Sequence, residues 1–246
     1  MREMIAQFFS FEPIDTAETP KKKSHLNLGV LFCLLMTLAV TIWFLEFNRN
    51  LSHGSYGITA VEWLGVTAAM YWLAMVPLVL VLFVEKFAFK AKLLPALGLK
   101  GRPNAVLGKM KYIALFVAAD LVVFVVRRLL GKHGEITPAY FLLQIPGNLI
   151  IAFCEEAMFR GYIQGVMVRR FGDAPGILLT AALFFAVHLP VRILLQYQNP
   201  AQLIGSLAYT LAGGIIFGVV ARKDRCIYGS AVLHFSFNVG HYITLL

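Results

Sequence analysis

Long apolar runs separated by short polar or basic stretches set the pattern of this 246-residue chain, at residues 28–45, 63–84, 112–126, 140–153, 175–187, 203–220 and 227–246. A helix needs roughly 20 residues to cross a hydrocarbon core of about 30 Å. Several runs reach that length, and the shorter ones extend into their flanks or sit against neighbours. The pattern predicts an all-α fold: a polytopic membrane helical bundle with about seven transmembrane helices, within a range of about six to eight.

The polar stretches divide the rest. Residues 1–26 read as a cytoplasmic N-terminal tail and 27–246 as an integral membrane domain. Within the tail, MREMIAQFFSF suits either the membrane surface or a disordered lead, and a polar linker ends in the basic anchor Lys21, Lys22 and Lys23. A polar lead of this length is long for a cleaved signal and offers no good cleavage site, so the first run is read as a retained helix. Residues 87–111 mix Phe and Leu with lysines and are interrupted by Pro95 and Gly98. That composition suits an interfacial segment on the cytoplasmic face. Ser206, Thr210, Gly214 and Gly218 put a small residue at every fourth position of the sixth run, a stripe that lets helices approach closely.

Composition sharpens the membrane reading. The chain is 59% hydrophobic and 14% charged, with a mean hydropathy of +0.74. A soluble domain carries about a quarter charged residues. The net charge of +9 then reads as a topology signal, and nucleic acid is not an expected partner. With the N-terminus cytoplasmic, most of the Lys and Arg residues fall inside, against Arg49, Arg127, Arg128, Lys132 and Arg192 outside. Cys33, Cys154 and Cys226 show neither paired nor metal-type spacing, which argues against a disulfide framework.

Charge inside the fourth run changes the picture most. Charged groups at the centre of a bilayer cost at least a few kcal/mol each, so they face the protein interior and have partners or a task. Pro146 and Gly147 mark a start or a kink of that helix. Glu156 and Arg160 are four residues apart and meet on one face, which makes them a structural pair. Glu155 is left over, with Asn148 and Tyr162 on its stripe. An unpaired carboxylate in a low-dielectric site suits a general base or acid, or else a structural hydrogen-bond network.

Histidines on two other runs bear on that choice. His188 ends one run, and His234 and Asn238 share a face of the last, which His241 extends by a turn. At 1.5 Å per residue, Glu155 lies about 20 Å from the helix end at Arg169. By the same rise His188 lies about 22 Å beyond Asp173, and His234 and Asn238 about 14 and 20 Å beyond Arg225. All four can sit near one level of a water-filled chamber.

At these residues the chain resembles the CAAX protease and bacteriocin-processing family, also called CPBP or Abi, which includes the type II CAAX prenyl endopeptidases. The family pattern EExxxR, FxxxH and HxxxN is matched in order by EEAMFR (155–160), FFAVH (184–188) and HFSFN (234–238). The resemblance covers about 144–246, and LGLKGRP (97–103) is similar to a short segment often found upstream. It implies a glutamate-dependent intramembrane endopeptidase with no metal and no cofactor. Glu155 would deprotonate a water that His188 helps to hold. His234 and Asn238 would donate to the oxyanion, and Glu156 and Arg160 would brace the site.

Rival readings stay open on the residues alone. Glu155, His188 and His234 are also a zinc-compatible ligand set, and Cys154 is a nucleophile without an evident base. A bundle of this kind would also serve as a non-catalytic membrane scaffold, an immunity protein or a regulatory protein. Asp120, in the third run, pairs with Arg127 or points into the chamber. The expected partners are the lipid bilayer and a membrane-anchored protein or peptide: prenylated, a pheromone precursor or a C-terminal sorting tail. The expected location is a prokaryotic inner or cell membrane.

Overall fold

The computed structural model describes residues 97–99, 108–131, 138–196 and 199–245, with a few isolated positions nearer the N-terminus. The expected tail at 1–26, nearly all of the first two expected spans and most of the interfacial segment lie outside the described residues.

Every regular element among the described residues is helical. In chain order these are α1 (Met110–Leu129), α2 (Pro138–Glu156), a π-helical segment (Ala157–Ile163), α3 (Gln164–Phe171), α4 (Asp173–Gln196), α5 (Pro200–Asp224) and α6 (Tyr228–Leu245). The third to seventh apolar runs each coincide with one of these helices. Two stretches, Asp173–Pro190 in α4 and Leu203–Asp224 in α5, are apolar and long enough to cross a membrane by length and composition. Large apolar side chains such as Leu115, Val122, Leu142, Leu149, Leu178 and Ile204 stand on the outer faces of these helices. Lipid is the solvent that suits such a surface, because helices satisfy their backbone groups internally.

Two boundaries differ from the sequence reading. α2 begins at Pro138, so Pro146 lies inside the helix and not at its start. Its ring costs the helix one backbone hydrogen bond, which neighbouring helices tolerate in a membrane setting. α4 also runs nine residues past the expected end at 187, through Pro190 to Gln196, so His188 and Arg192 are both helical.

α2, the π segment and α3 form one continuous rod. α4 folds back along α3, α5 packs on α4, and α6 lies against α1, α2 and α5. The small-residue stripe on α5 does serve packing: Gly214 lies so close to Ala181 that an added Cβ would sit 3.3 Å from the Ala181 methyl. At one end of the bundle Arg222 grips Asp173 through two bonds, Nε to Oδ1 at 2.6 Å and Nη2 to Oδ2 at 3.3 Å. Lys109 meets Asp224 there at 3.1 Å. The best-buried core surrounds the π segment, where Phe159, Tyr162 and Ile163 meet Phe184, Val187 and Ile227.

Candidate active site

The rod changes pitch where its charges lie. α2 ends at Glu156, and the next seven residues widen into a π turn, all of them buried. Such π segments are rare and are frequent at functional sites. Glu156 is fully buried and lies 3.0 Å from Arg160 through Oε1 and Nη1. The same Oε1 accepts a hydrogen bond from Nδ1 of His234 at 3.0 Å, which ties the rod to α6. Arg160 donates from Nη2 to the Gly214 carbonyl on α5 at 3.3 Å. Its guanidinium lies 4.3 Å from the Phe184 ring centroid and 5.6 Å from that of Phe217. Two aromatic faces therefore replace part of the hydration that the cation gives up. Ser230, one turn before His234, lies beside the Glu156 carboxylate and donates to the Ile227 carbonyl at 3.0 Å.

Glu155 faces another way. Its Oε2 lies 3.9 Å from Nε2 of His188 and 3.7 Å from Nε2 of His234, and its side chain keeps 16% of its surface open. Both rings are fixed from behind. The Phe184 carbonyl lies 2.7 Å from Nδ1 of His188, and a carbonyl only accepts, so that nitrogen carries the hydrogen. The same reasoning puts a hydrogen on Nδ1 of His234, because its partner is a carboxylate. In their neutral forms both rings bring an unprotonated Nε2 within 4 Å of one oxygen of Glu155.

Three acceptors, from the rod, α4 and α6, thus lie close together. A water has only two hydrogens to give, so a water held by all three groups needs one of them protonated. His234 offers an Nε2–H only as an imidazolium, with Glu156 as its counter-ion. The rings are further held by aromatic contacts: Phe217 stacks on His234 at 4.8 Å, and Phe184 packs on His188 at 4.4 Å.

The structure brings Glu155, Glu156, Arg160, His188 and His234 into one cluster. Asn238 follows His234 by one turn on α6 and is half-buried. The side chain of His241 lies outside those described. Cys154 is a half-buried free thiol. The Asp120 carboxylate lies against the Gly240 backbone, so it seats α1 on the helix that carries His234 and Asn238. No group of three His, Cys, Asp or Glu side chains among the described residues is arranged to hold a metal ion.

Sequence reasoning missed Ser230, Phe217 and the π turn, and it read Gly214 only as part of a packing stripe. Ser230 carried a signal, since it precedes His234 by four residues. Phe217 carried none in a chain with 20 phenylalanines.

The fold and site define a helical bundle with lipid-suited faces and a carboxylate–histidine cluster at its centre. Residues 137–240 match the family model for "Type II CAAX prenyl endopeptidase Rce1-like". The matched segment is similar to that endopeptidase family over less than half of the chain, and it contains every clustered residue. No curated protein and no solved structure matches the chain.

Proposed function

We propose that the protein is a metal-independent, glutamate-dependent intramembrane endopeptidase that cleaves a membrane-anchored protein or peptide. The observation that carries this reading is the contrast within one dipeptide. Glu156 is consumed by Arg160 and His234, whereas Glu155 is partly open and lies within 4 Å of two oriented imidazoles.

Glu155 takes a proton from a water that His188 helps to hold, and the water oxygen attacks the scissile carbonyl carbon. The carbonyl oxygen becomes an oxyanion, to which His234 (as imidazolium) and the Asn238 amide donate. When the intermediate collapses, the C–N bond breaks and Glu155 returns its proton to the leaving amine. One water is consumed and no electrons are transferred. Loss of one oxyanion donor costs about 10²- to 10³-fold in kcat in known hydrolases. Glu156 and Arg160 do not react; they hold the rod and orient His234.

In this reading the catalytic core spans about 144–246 of a multi-pass membrane protein with a cytoplasmic N-terminus. Its substrates are prenylated tails, pheromone precursors or C-terminal sorting tails. The test is cleavage of a library of membrane-anchored peptides by purified protein in liposomes containing EDTA. Cut peptides that gain one water and persist in EDTA support the proposal. Activity abolished by EDTA and restored by zinc would replace it with a metalloprotease.

A further inference from the structure

The segment Leu97, Gly98 and Leu99 lies far from the site in sequence, yet it touches both elements that build it. Its backbone lies directly on the π turn: a Cβ at Gly161, the residue after Arg160, would collide with the Leu97 carbonyl. On its other side the Gly98 carbonyl accepts a hydrogen bond from the Ile227 amide at 3.0 Å, and the Leu99 carbonyl accepts one from the Tyr228 hydroxyl at 3.0 Å. Ile227 precedes and Tyr228 opens α6, about two turns before His234.

Gly98 is wedged between these two elements. Its φ is +66°, and a Cβ there would meet the Ile227 side chain at 2.8 Å and the Gly161 Cα at 3.6 Å. The Leu97 and Leu99 side chains pack on the core formed by Phe159, Tyr162, Ile163 and Ile227. The segment is therefore a backbone strap across the junction between the rod and α6. The bond between Glu156 and His234 crosses the same junction further into the bundle.

We propose that this strap is a positioning element of the active site. By filling the gap between Gly161 and Ile227, it sets the register of the π turn against α6. That register keeps Oε2 of Glu155 within reach of both Nε2 atoms. The strap does not touch the reacting atoms, and Gly161 and Gly98 are required because a side chain at either would push the two elements apart. The inference rests on the peptidase reading for its effect on rate, but its geometric content is independent of that reading.

Three variants test it: Gly161→Ala, which forces backbone against backbone; Tyr228→Phe, which removes only one anchor; and Gly131→Ala as control. Gly131 also has a positive φ, but nothing lies within 4 Å of the site of its added Cβ. Two readouts are taken on folded protein in detergent: kcat and KM on a cleaved peptide, and the imidazole proton NMR signal of the His234 Nδ1–H bonded to Glu156. Misplacing reacting groups by about 1 Å costs up to about 10²-fold. Gly161→Ala is expected to lose about 10- to 100-fold in kcat, with KM within about threefold, and to lose or shift the His234 signal. Tyr228→Phe shifts both in the same direction by a smaller amount, and Gly131→Ala changes neither.

Wild-type kcat and an unmoved His234 signal in both strap variants would overturn the proposal. If Gly161→Ala does not fold, Tyr228→Phe decides on the same two readouts. If even the wild type cleaves nothing, the peptidase reading fails, and the His234 signal alone decides whether the strap sets the register.

Discussion

Glu155 and Glu156 are neighbours in sequence, but they are in opposite circumstances. Glu156 has no exposed surface and shares one oxygen between Arg160 and His234, each at 3.0 Å. Glu155 retains some exposure, and two histidine nitrogens lie 3.7 and 3.9 Å from its Oε2. Those gaps are too long for direct hydrogen bonds. A helix that turns successive side chains about 100° apart can send one carboxylate to the brace and the next to the chamber. The comparison teaches that the charge that braces the fold and the charge proposed for chemistry can be adjacent in sequence, with His234 beside both.

The largest expected effect breaks that contrast on the open side. Glu155→Gln keeps shape and removes the proposed base, and general-base catalysis contributes about 10²- to 10⁴-fold. Turnover of a cleaved peptide falls by that range, while the thermal midpoint in detergent stays near wild type. On the closed side, Arg160→Met leaves the Glu156 charge buried with one partner fewer, a change that typically destabilises by about 3–5 kcal/mol. A lower thermal midpoint or poor recovery of folded protein reads this out directly.

Asn238→Ala sharpens the chamber side. It removes one expected oxyanion donor, so kcat falls about 10²- to 10³-fold with KM little changed. The smallest effect belongs to the far end of the bundle. Asp173→Asn weakens a partly exposed pair with Arg222, and such pairs contribute about 0–1 kcal/mol. Activity and melting close to wild type are expected there, which contrasts with the buried pair of similar geometry.

The legible part of this site was carried by charge. Glu155, Glu156, Arg160, His188 and His234 stand out because ionisable groups in apolar runs are costly, and the helical rise placed Glu155 and His188 at one depth from their flanking charges. The pairing of Glu156 with Arg160 followed from a four-residue spacing. The π turn was not legible, and the backbone contact it makes, the Leu97 carbonyl on Gly161, joins residues more than 60 apart in sequence. α4 outruns its apolar run at 175–187, because a helix packed among others continues through Pro190.

The most direct test of the account compares turnover and thermal midpoint for Glu155→Gln and Glu156→Gln side by side, in EDTA, on one membrane-anchored peptide cleaved by the wild type. The account predicts that Glu155→Gln melts like wild type and loses turnover by at least about 10²-fold, whereas Glu156→Gln melts markedly lower. Wild-type turnover in Glu155→Gln would contradict it.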